Sequence, residues 1–156
     1  MTRSLCDAQA TQALGAALAR GAPWGAERMR VLLLEGELGA GKTTLTQGLL
    51  RALGVAEAVR SPTYTLVETY PVSIGLAVHV DLYRLHGAEE VEELGLRDYL
   101  HEPGLMLIEW PQRAGAALPP ADLRVLLRVA GEGRSAELQP LSSVGRHWLS
   151  TLSAGQ

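Results

Sequence analysis

Gly36-Glu37-Leu38-Gly39-Ala40-Gly41-Lys42-Thr43 satisfies the pattern G-x-x-x-x-G-K-[ST]. The stretch follows the apolar run Val31-Leu32-Leu33-Leu34, which is typical of a buried parallel strand, and residues 42–53 then continue with a helical pattern. Glycines in such a turn let successive backbone N–H groups face an anion, and the helix N-terminus adds partial positive charge. The stretch therefore predicts a phosphate-binding loop; the alternative is a glycine-rich turn that holds no ligand.

The residue types within this loop indicate a polyphosphate with a metal ion. We expect Lys42 to reach the β- and γ-phosphates of ATP or ADP, and the Thr43 hydroxyl to ligate Mg²⁺. Lys42 is the single lysine of the chain, and all the other basic residues apart from histidine are arginines. The predicted nucleotide-binding residues of the loop are Gly36, Glu37, Leu38, Gly39, Ala40, Gly41, Lys42, Thr43 and Thr44.

Apolar periodicity predicts the remaining helices and strands. We expect helices at residues 7–20, 42–53, 89–100 and 142–152, strands at 30–35, 63–70, 76–81, 105–110, 123–130 and 134–141, and a turn at 71–75. Strands and helices alternate early and strands cluster late, which predicts a three-layer α/β fold with a mixed, mostly parallel sheet between helices. The 156 residues suit a single domain spanning 1–156.

Two buried strands end in an acidic residue, and both acids are candidates for catalysis. Asp81 ends LAVHVD, and Glu109 follows LMLI. The carboxyl ends of parallel strands face the crevice in which α/β proteins bind ligands, so each carboxylate could reach Mg²⁺ directly or through water. The alternative is that either acid caps a loop or pairs with Arg84 or Arg113.

Composition excludes several classes of protein. A net charge of −3 without clustered basic residues argues against direct binding of nucleic acid. No apolar run approaches the ~20 residues that cross a bilayer. Cys6 is the only cysteine, so an intrachain disulfide is impossible, a reducing cytoplasm is expected, and Cys6 is expected to be a small buried side chain.

Two other classes of nucleotide-binding protein share this type of loop. The chain has no Asn and no second Lys, which excludes a GTPase that reads guanine with Asn-Lys-x-Asp. A small-molecule kinase stays open, although its usual arginine-rich lid has no counterpart among the scattered arginines.

Four ordered segments resemble the TsaE proteins, also called YjeE, of bacterial tRNA modification. They are GELGAGKTTLTQGLL (36–50), VRSPTYTLVE (59–68), HVDLYRL (79–85) and IEWP (108–111). The last three are far more specific than the phosphate-binding loop, which many families share.

This resemblance implies a cytoplasmic ATPase that works with the TsaB–TsaD pair to place threonylcarbamoyl on the adenosine beside the anticodon, so that tRNA is met only indirectly. It also implies roles for individual residues. Lys42 and Thr43 would hold phosphate and Mg²⁺, Glu109 would lie on the metal side, and Asp81 would be the acid most needed for hydrolysis, with Trp110 beside them.

The resemblance suggests further contacts at the edges of the site. Ser61-Pro62-Thr63 would be a switch-like loop that senses the γ-phosphate or the metal, unless it is a rigid turn entering a strand. Thr11 and Arg134 would contact the nucleotide, unless both are ordinary surface residues. Two functions remain beside an ATPase: a nucleotide-dependent binding switch without essential hydrolysis, and a small-molecule kinase.

Overall fold

The computed structural model describes residues 1–25 and 28–154. Its strands are β1 (Thr2–Leu5), β2 (Met29–Glu35), β3 (Val67–Val72), β4 (Gly75–Asp81), β5 (Gly104–Glu109), β6 (Leu123–Ala130) and β7 (Gly133–Pro140). Its α-helices are α1 (Ala8–Gly21), α2 (Lys42–Ala52), α3 (Ala88–Glu93) and α4 (Ser143–Ala154). Short 3₁₀ helices lie at Leu96–His101, Pro111–Arg113 and Gly115–Ala117. None of these described helices has the length and apolar character needed to span a membrane.

One sheet contains all seven described strands, in the order β1-β7-β6-β2-β5-β4-β3. The mixed sheet was predicted correctly, but the expectation that it is mostly parallel holds only for its centre. Strands β6, β2, β5 and β4 pair in parallel. The outer pairings β1–β7, β6–β7 and β3–β4 are antiparallel. Two of them, β6–β7 and β3–β4, are hairpins whose short turns reverse the chain.

Helical segments cover both faces of the sheet, as the predicted three layers require. On one face, α1, α2 and α4 pack over alternate strand residues such as Leu32, Leu34 and Leu107. On the other face, α3 and the 3₁₀ helices pack over the intervening residues, such as Val31 and Ile108. Since both faces are buried, the central strands are apolar throughout rather than alternating.

The prediction of a strand at residues 63–70 was wrong in its first half. Residues 63–66 form a turn in which the Leu66 amide donates to the Pro62 carbonyl at 2.7 Å, and Leu66 has φ 65°. Proline and these turn bonds override the β propensity of the Thr-Tyr-Thr run. The strand instead runs through Pro71, which an edge strand tolerates because its nitrogen need not donate.

Three other expectations need correction. The helix predicted at 89–100 is α3 followed by a 3₁₀ helix, because Gly95 adopts a left-handed conformation with φ 65° and ends the α-helical run. Strand β1 was not predicted, since four residues of mixed polarity carry too little pattern. Cys6, expected to be buried, is exposed at the end of β1.

Candidate functional site

The glycine-rich loop leads from β2 directly into α2, as the sequence predicts. Gly39 and Gly41 have φ values of 78° and 105°, a backbone region that suits glycine and few other residues. Gly41 caps α2 without any side-chain hydrogen bond to the first helical amides. Those N–H groups and the positive end of the helix are therefore available to an anion.

The Lys42 ammonium lies over this loop. Its Nζ donates to the carbonyl oxygens of Gly36 at 2.6 Å and of Glu37 at 3.0 Å. The same Nζ lies 4.4 Å from the ring centroid of Trp110. Burial lowers the pKa of Lys42, while the nearby carboxylates of Glu109, Asp81 and Glu37 act in the opposite direction. The ammonium is thus held by neutral carbonyl oxygens, and the charged oxygens of a phosphate could take their place.

Asp81 and Glu109 stand opposite each other at the ends of the neighbouring strands β4 and β5. Both side chains are almost completely buried. Neither forms an ion pair with Arg84 or Arg113 among the described residues; these arginines lie over the Tyr64 and Tyr83 rings. The capping alternative holds in part for Asp81, because its Oδ1 accepts a hydrogen bond from the backbone N–H of Tyr83 at 2.9 Å.

Ser61 joins the loop to Glu109. Its Oγ lies 2.9 Å from Thr43 Oγ1 and donates to Glu109 Oε1 at 3.0 Å. Since Ser61 donates to the carboxylate, the Thr43 hydroxyl donates to Ser61 and keeps its lone pairs for another ligand. This hydrogen-bonded link between the predicted magnesium ligands was not evident from the sequence, because Ser61 is separated from both residues along the chain.

His79 is a buried member of the site that sequence reasoning did not single out. Its Nε2 lies 2.8 Å from Glu109 Oε1, and the side chain is completely buried. A signal was present, because His79 precedes Asp81 by two residues in a strand and so lies on the same face of the sheet.

Burial raises the pKa of Asp81, and the charge of Glu109 adds to this rise. The backbone hydrogen bond from Tyr83 and the charges of His79 and Lys42 oppose it. The site therefore contains a carboxylate that is costly to keep charged without a further cation, which is typical of functional sites.

Trp110 has a left-handed backbone, with φ 57° and ψ 48°, immediately after Glu109. Such a conformation is unfavourable for a residue with a side chain, by roughly 1–2 kcal/mol. It allows the indole to lie beside Lys42 and 4.9 Å from the Tyr83 ring, measured between centroids.

An open cavity of about 410 Å³ lies beside Lys42. It brings together most of the predicted site and adds Tyr83; its lining comprises Leu38, Gly39, Gly41, Lys42, Thr43, Thr44, Ser61, Thr63, Asp81, Tyr83, Glu109 and Trp110. Three predicted loop residues, Gly36, Glu37 and Ala40, line a separate cavity of about 420 Å³ instead. Pro62 is buried just before the turn at residues 63–66 and lines neither of these cavities.

Thr11 and Arg134 meet at a smaller cavity of about 180 Å³ on the other side of the loop, which also includes Gly39, Gly41 and Thr44. Arg134 Nη2 donates to the carbonyl oxygen of Gly39 at 3.0 Å. Thr11 is buried, and its hydroxyl donates to the carbonyl of Asp7, the residue that caps α1. Both side chains therefore adjoin the loop, where a group attached to a phosphate chain could lie.

The oxygen donors around the cavity beside Lys42 suit Mg²⁺, which prefers carboxylate and hydroxyl oxygens together with phosphate and water. No cluster of three His, Cys, Asp or Glu side chains capable of holding a metal by itself occurs in residues 1–25 and 28–154. The residues present thus fit a magnesium ion that arrives with a polyphosphate rather than one held by the protein alone.

The chain is similar in sequence to proteins of known family. The chain is 42% identical over 127 residues to the tRNA threonylcarbamoyladenosine biosynthesis protein TsaE of Haemophilus influenzae, covering 81% of this chain and 80% of that protein. It is 44% identical over 117 residues to the protein of the same name from Nostoc sp., covering 72% and 71% of the two chains.

A solved structure shares the fold. The crystal structure of Bacillus subtilis YdiB superposes with a TM-score of 0.82 at 28% sequence identity, covering 99% of this chain and 95% of that chain. The family described as threonylcarbamoyl adenosine biosynthesis protein TsaE matches residues 5–136, a span that includes the loop, both carboxylates and His79. The chain therefore belongs to the TsaE family.

Proposed function

We propose that this protein is a magnesium-dependent ATPase that assists the threonylcarbamoylation of adenosine in tRNA, working in the cytoplasm with a TsaB–TsaD pair. The observation that carries the proposal is the meeting of Lys42, Thr43, Asp81 and Glu109 at one open cavity. The relatives named above are described as tRNA threonylcarbamoyladenosine biosynthesis proteins, which supports the pathway.

In this proposal the loop binds the phosphates of ATP or ADP. The uncapped amides at the start of α2 face the β-phosphate, and Lys42 exchanges its two carbonyl acceptors for phosphate oxygens. The smaller cavity beside Thr11 and Arg134 receives the nucleoside.

Hydrolysis requires an ordered water and neutralisation of charge, and no covalent step on the protein is needed. When bound, Mg²⁺ supplies positive charge at the phosphate oxygens. Thr43 and Glu109 would hold the metal. Asp81, at the end of the neighbouring strand and directly opposite Glu109, would orient the attacking water. The raised pKa of Asp81 favours this arrangement, because a carboxylate that is poorly neutralised accepts a proton readily.

Partner proteins are proposed to accelerate this reaction. Within the described residues, Lys42 is the only cationic side chain that lines the 410 Å³ cavity. A positive group supplied by a partner can contribute about 10³–10⁵ in rate, so turnover by the isolated protein should be slow.

Phosphate release with and without the TsaB–TsaD pair tests the proposal. We expect a slow basal rate that requires magnesium, faster hydrolysis with both partners, and multiple-turnover modification of tRNA only when this protein is present. An unchanged rate together with no detectable complex would contradict the coupling to these partners.

The second candidate is a binding switch in which hydrolysis is incidental, and one contact favours it. Ser61 bridges Thr43 and Glu109, so occupation of the site would be transmitted to the loop at residues 61–66. An Asp81→Asn variant separates the two functions. If it binds ATP but does not hydrolyse it and still supports repeated tRNA modification, the protein is a switch.

A further inference from the structure

Building on the proposed function, we propose that His79 is a positioning residue that holds Glu109 Oε1, so that the second carboxylate oxygen is left for magnesium and its water ligands. The contact of His79 Nε2 with Glu109 Oε1 at 2.8 Å carries this proposal.

The two hydrogen bonds that the Glu109 carboxylate accepts from side chains of the described residues fall on the same oxygen. Ser61 Oγ and His79 Nε2 both meet Oε1. Glu109 Oε2 accepts no hydrogen bond from the described part of the chain, and it is not fully enclosed by protein. The Glu109 side chain lines the cavity beside Lys42. Two donors from different directions thus orient the carboxyl group and leave one oxygen available.

The two donors come from elements of different rigidity. His79 lies in β4, between strands β3 and β5, and its side chain is completely buried. Ser61 lies in a loop and is only half-buried. If the loop moves when nucleotide binds, Ser61 can leave Glu109, whereas His79 keeps its contact.

Packing alone does not account for a histidine at this position. His79 Nδ1 is buried and has no hydrogen-bond partner within the described chain, an arrangement that destabilises a fold. The neighbouring residues on the same face of the central strands, such as Ala77 and Leu107, are apolar. What a histidine adds at this buried position is therefore its Nε2 contact, which an apolar side chain could not make.

Substitution by Gln and by Asn provides a matched test. Both variants place an amide at residue 79, but only the longer Gln side chain can bring a donor to the position of Nε2. A His79→Leu variant removes the donor without burying a polar group. Each protein is first checked for a cooperative melting transition, and nucleotide affinity is then measured by calorimetry with ADP in EDTA and in magnesium chloride.

We expect His79→Asn and His79→Leu to lose about 10–100-fold in kcat for ATP hydrolysis and a similar factor in the gain of ADP affinity that magnesium provides. ADP affinity in EDTA should stay at the wild-type value, because the loop and Lys42 are untouched. His79→Gln should recover most of both losses.

Three outcomes would overturn the role of His79: wild-type behaviour of the Asn and Leu variants, equal losses in the Gln and Asn variants, or a loss of ADP affinity that is the same in EDTA and in magnesium. A wild-type protein that binds ADP with magnesium but releases no phosphate would overturn the ATPase alone, and the magnesium dependence would still decide the role of His79. A wild-type protein that binds no nucleotide would overturn both proposals.

Discussion

Lys42 carries the only side-chain positive charge of the glycine-rich loop, and its present acceptors are two neutral carbonyls. A hydrogen bond that involves a charged group contributes roughly 1.5–3 kcal/mol, and pairing the ammonium with an anionic phosphate adds attraction between opposite charges. We therefore expect Lys42→Ala to weaken ATP and ADP binding about 10–100-fold in isothermal titration calorimetry.

Arg51 offers a matched control for this substitution. It is an exposed cation in the last turn of the same helix, far from the loop. Arg51→Ala should bind nucleotide like the wild type. Undiminished affinity in Lys42→Ala would mean that the loop does not hold the phosphates as proposed.

Asp81 should affect the stability of the fold as well as hydrolysis, because burial raises the pKa of its carboxyl group in the folded protein. The folded state then binds a proton more readily than the unfolded state, so stability is lost as the pH rises through this raised pKa. Without nucleotide or magnesium, Asp81→Asn should raise the melting temperature at neutral pH and keep the bond from the Tyr83 amide. The same variant should lose about 100-fold or more in hydrolysis.

The pH dependence of melting checks this assignment. The difference between wild type and Asp81→Asn should shrink as the pH falls and the wild-type carboxyl becomes neutral. A difference that is constant between pH 4 and 8 would place the stabilising effect elsewhere than in the charge of Asp81.

The sequence predicted that the two carboxylates lie at the site, because each ends a buried strand and the carboxyl ends of parallel strands lie at one edge of a sheet. It did not predict the chain of contacts from Thr43 through Ser61 to Glu109 and His79. Those contacts depend on how three separate segments approach in space, and no pattern along the chain encodes that distance. Trp110 was placed near the site by resemblance, whereas its left-handed backbone could only be seen in the structure.

At the scale of elements, the close crossing of α1 and α2 determines where the phosphate-binding loop lies. A Cβ on Gly48 would overlap the backbone of Gln12, and one on Gly15 would overlap the carbonyl oxygen of Leu45. We expect Gly48→Ala to destabilise the protein by roughly 1–3 kcal/mol in urea unfolding, because the helices must separate. Since α2 begins at the loop, nucleotide affinity should fall as well.

Gly87 provides the control for this prediction. A Cβ there would meet no described atom within 4 Å, and its φ of −179° is extended. Gly87→Ala should change the free energy of unfolding by no more than about 0.5 kcal/mol. If Gly48→Ala is equally harmless, the helix crossing is less tight than the glycine contacts indicate.

The elements that the sequence predicted well have long, unambiguous patterns. Strand β2 and helix α2 combine an apolar run, a glycine turn and a helical periodicity, and the structure agrees within two residues. Residues 63–66 and 89–100 were less predictable because short β-branched runs and acidic helical runs are easily overruled by Pro62 and Gly95. Strand β1 depends on its pairing with β7, which is distant in the sequence.

At the scale of the whole molecule, the cavity beside Lys42 and the smaller cavity beside Thr11 are lined by parts of the chain that are far apart in sequence. Their lining comes from the glycine-rich loop, α1, α2, the ends of β4 and β5, the segment at residues 61–63 and the start of β7. A ligand in contact with all of them would bind only the folded chain, because no unfolded chain assembles this set. Ligand binding should therefore stabilise the entire fold.

The size of this stabilisation follows from mass action. A ligand at about one hundred times its Kd adds roughly 2.7 kcal/mol, which raises the melting temperature of a domain of this size by about 5–10 °C. We expect ADP with magnesium to produce such a shift in differential scanning calorimetry, with a smaller shift in EDTA and little in Lys42→Ala. AMP, which lacks the β-phosphate that the amides of α2 would meet, should be far less effective. An equal shift from AMP and ADP would show that the loop does not recognise a polyphosphate.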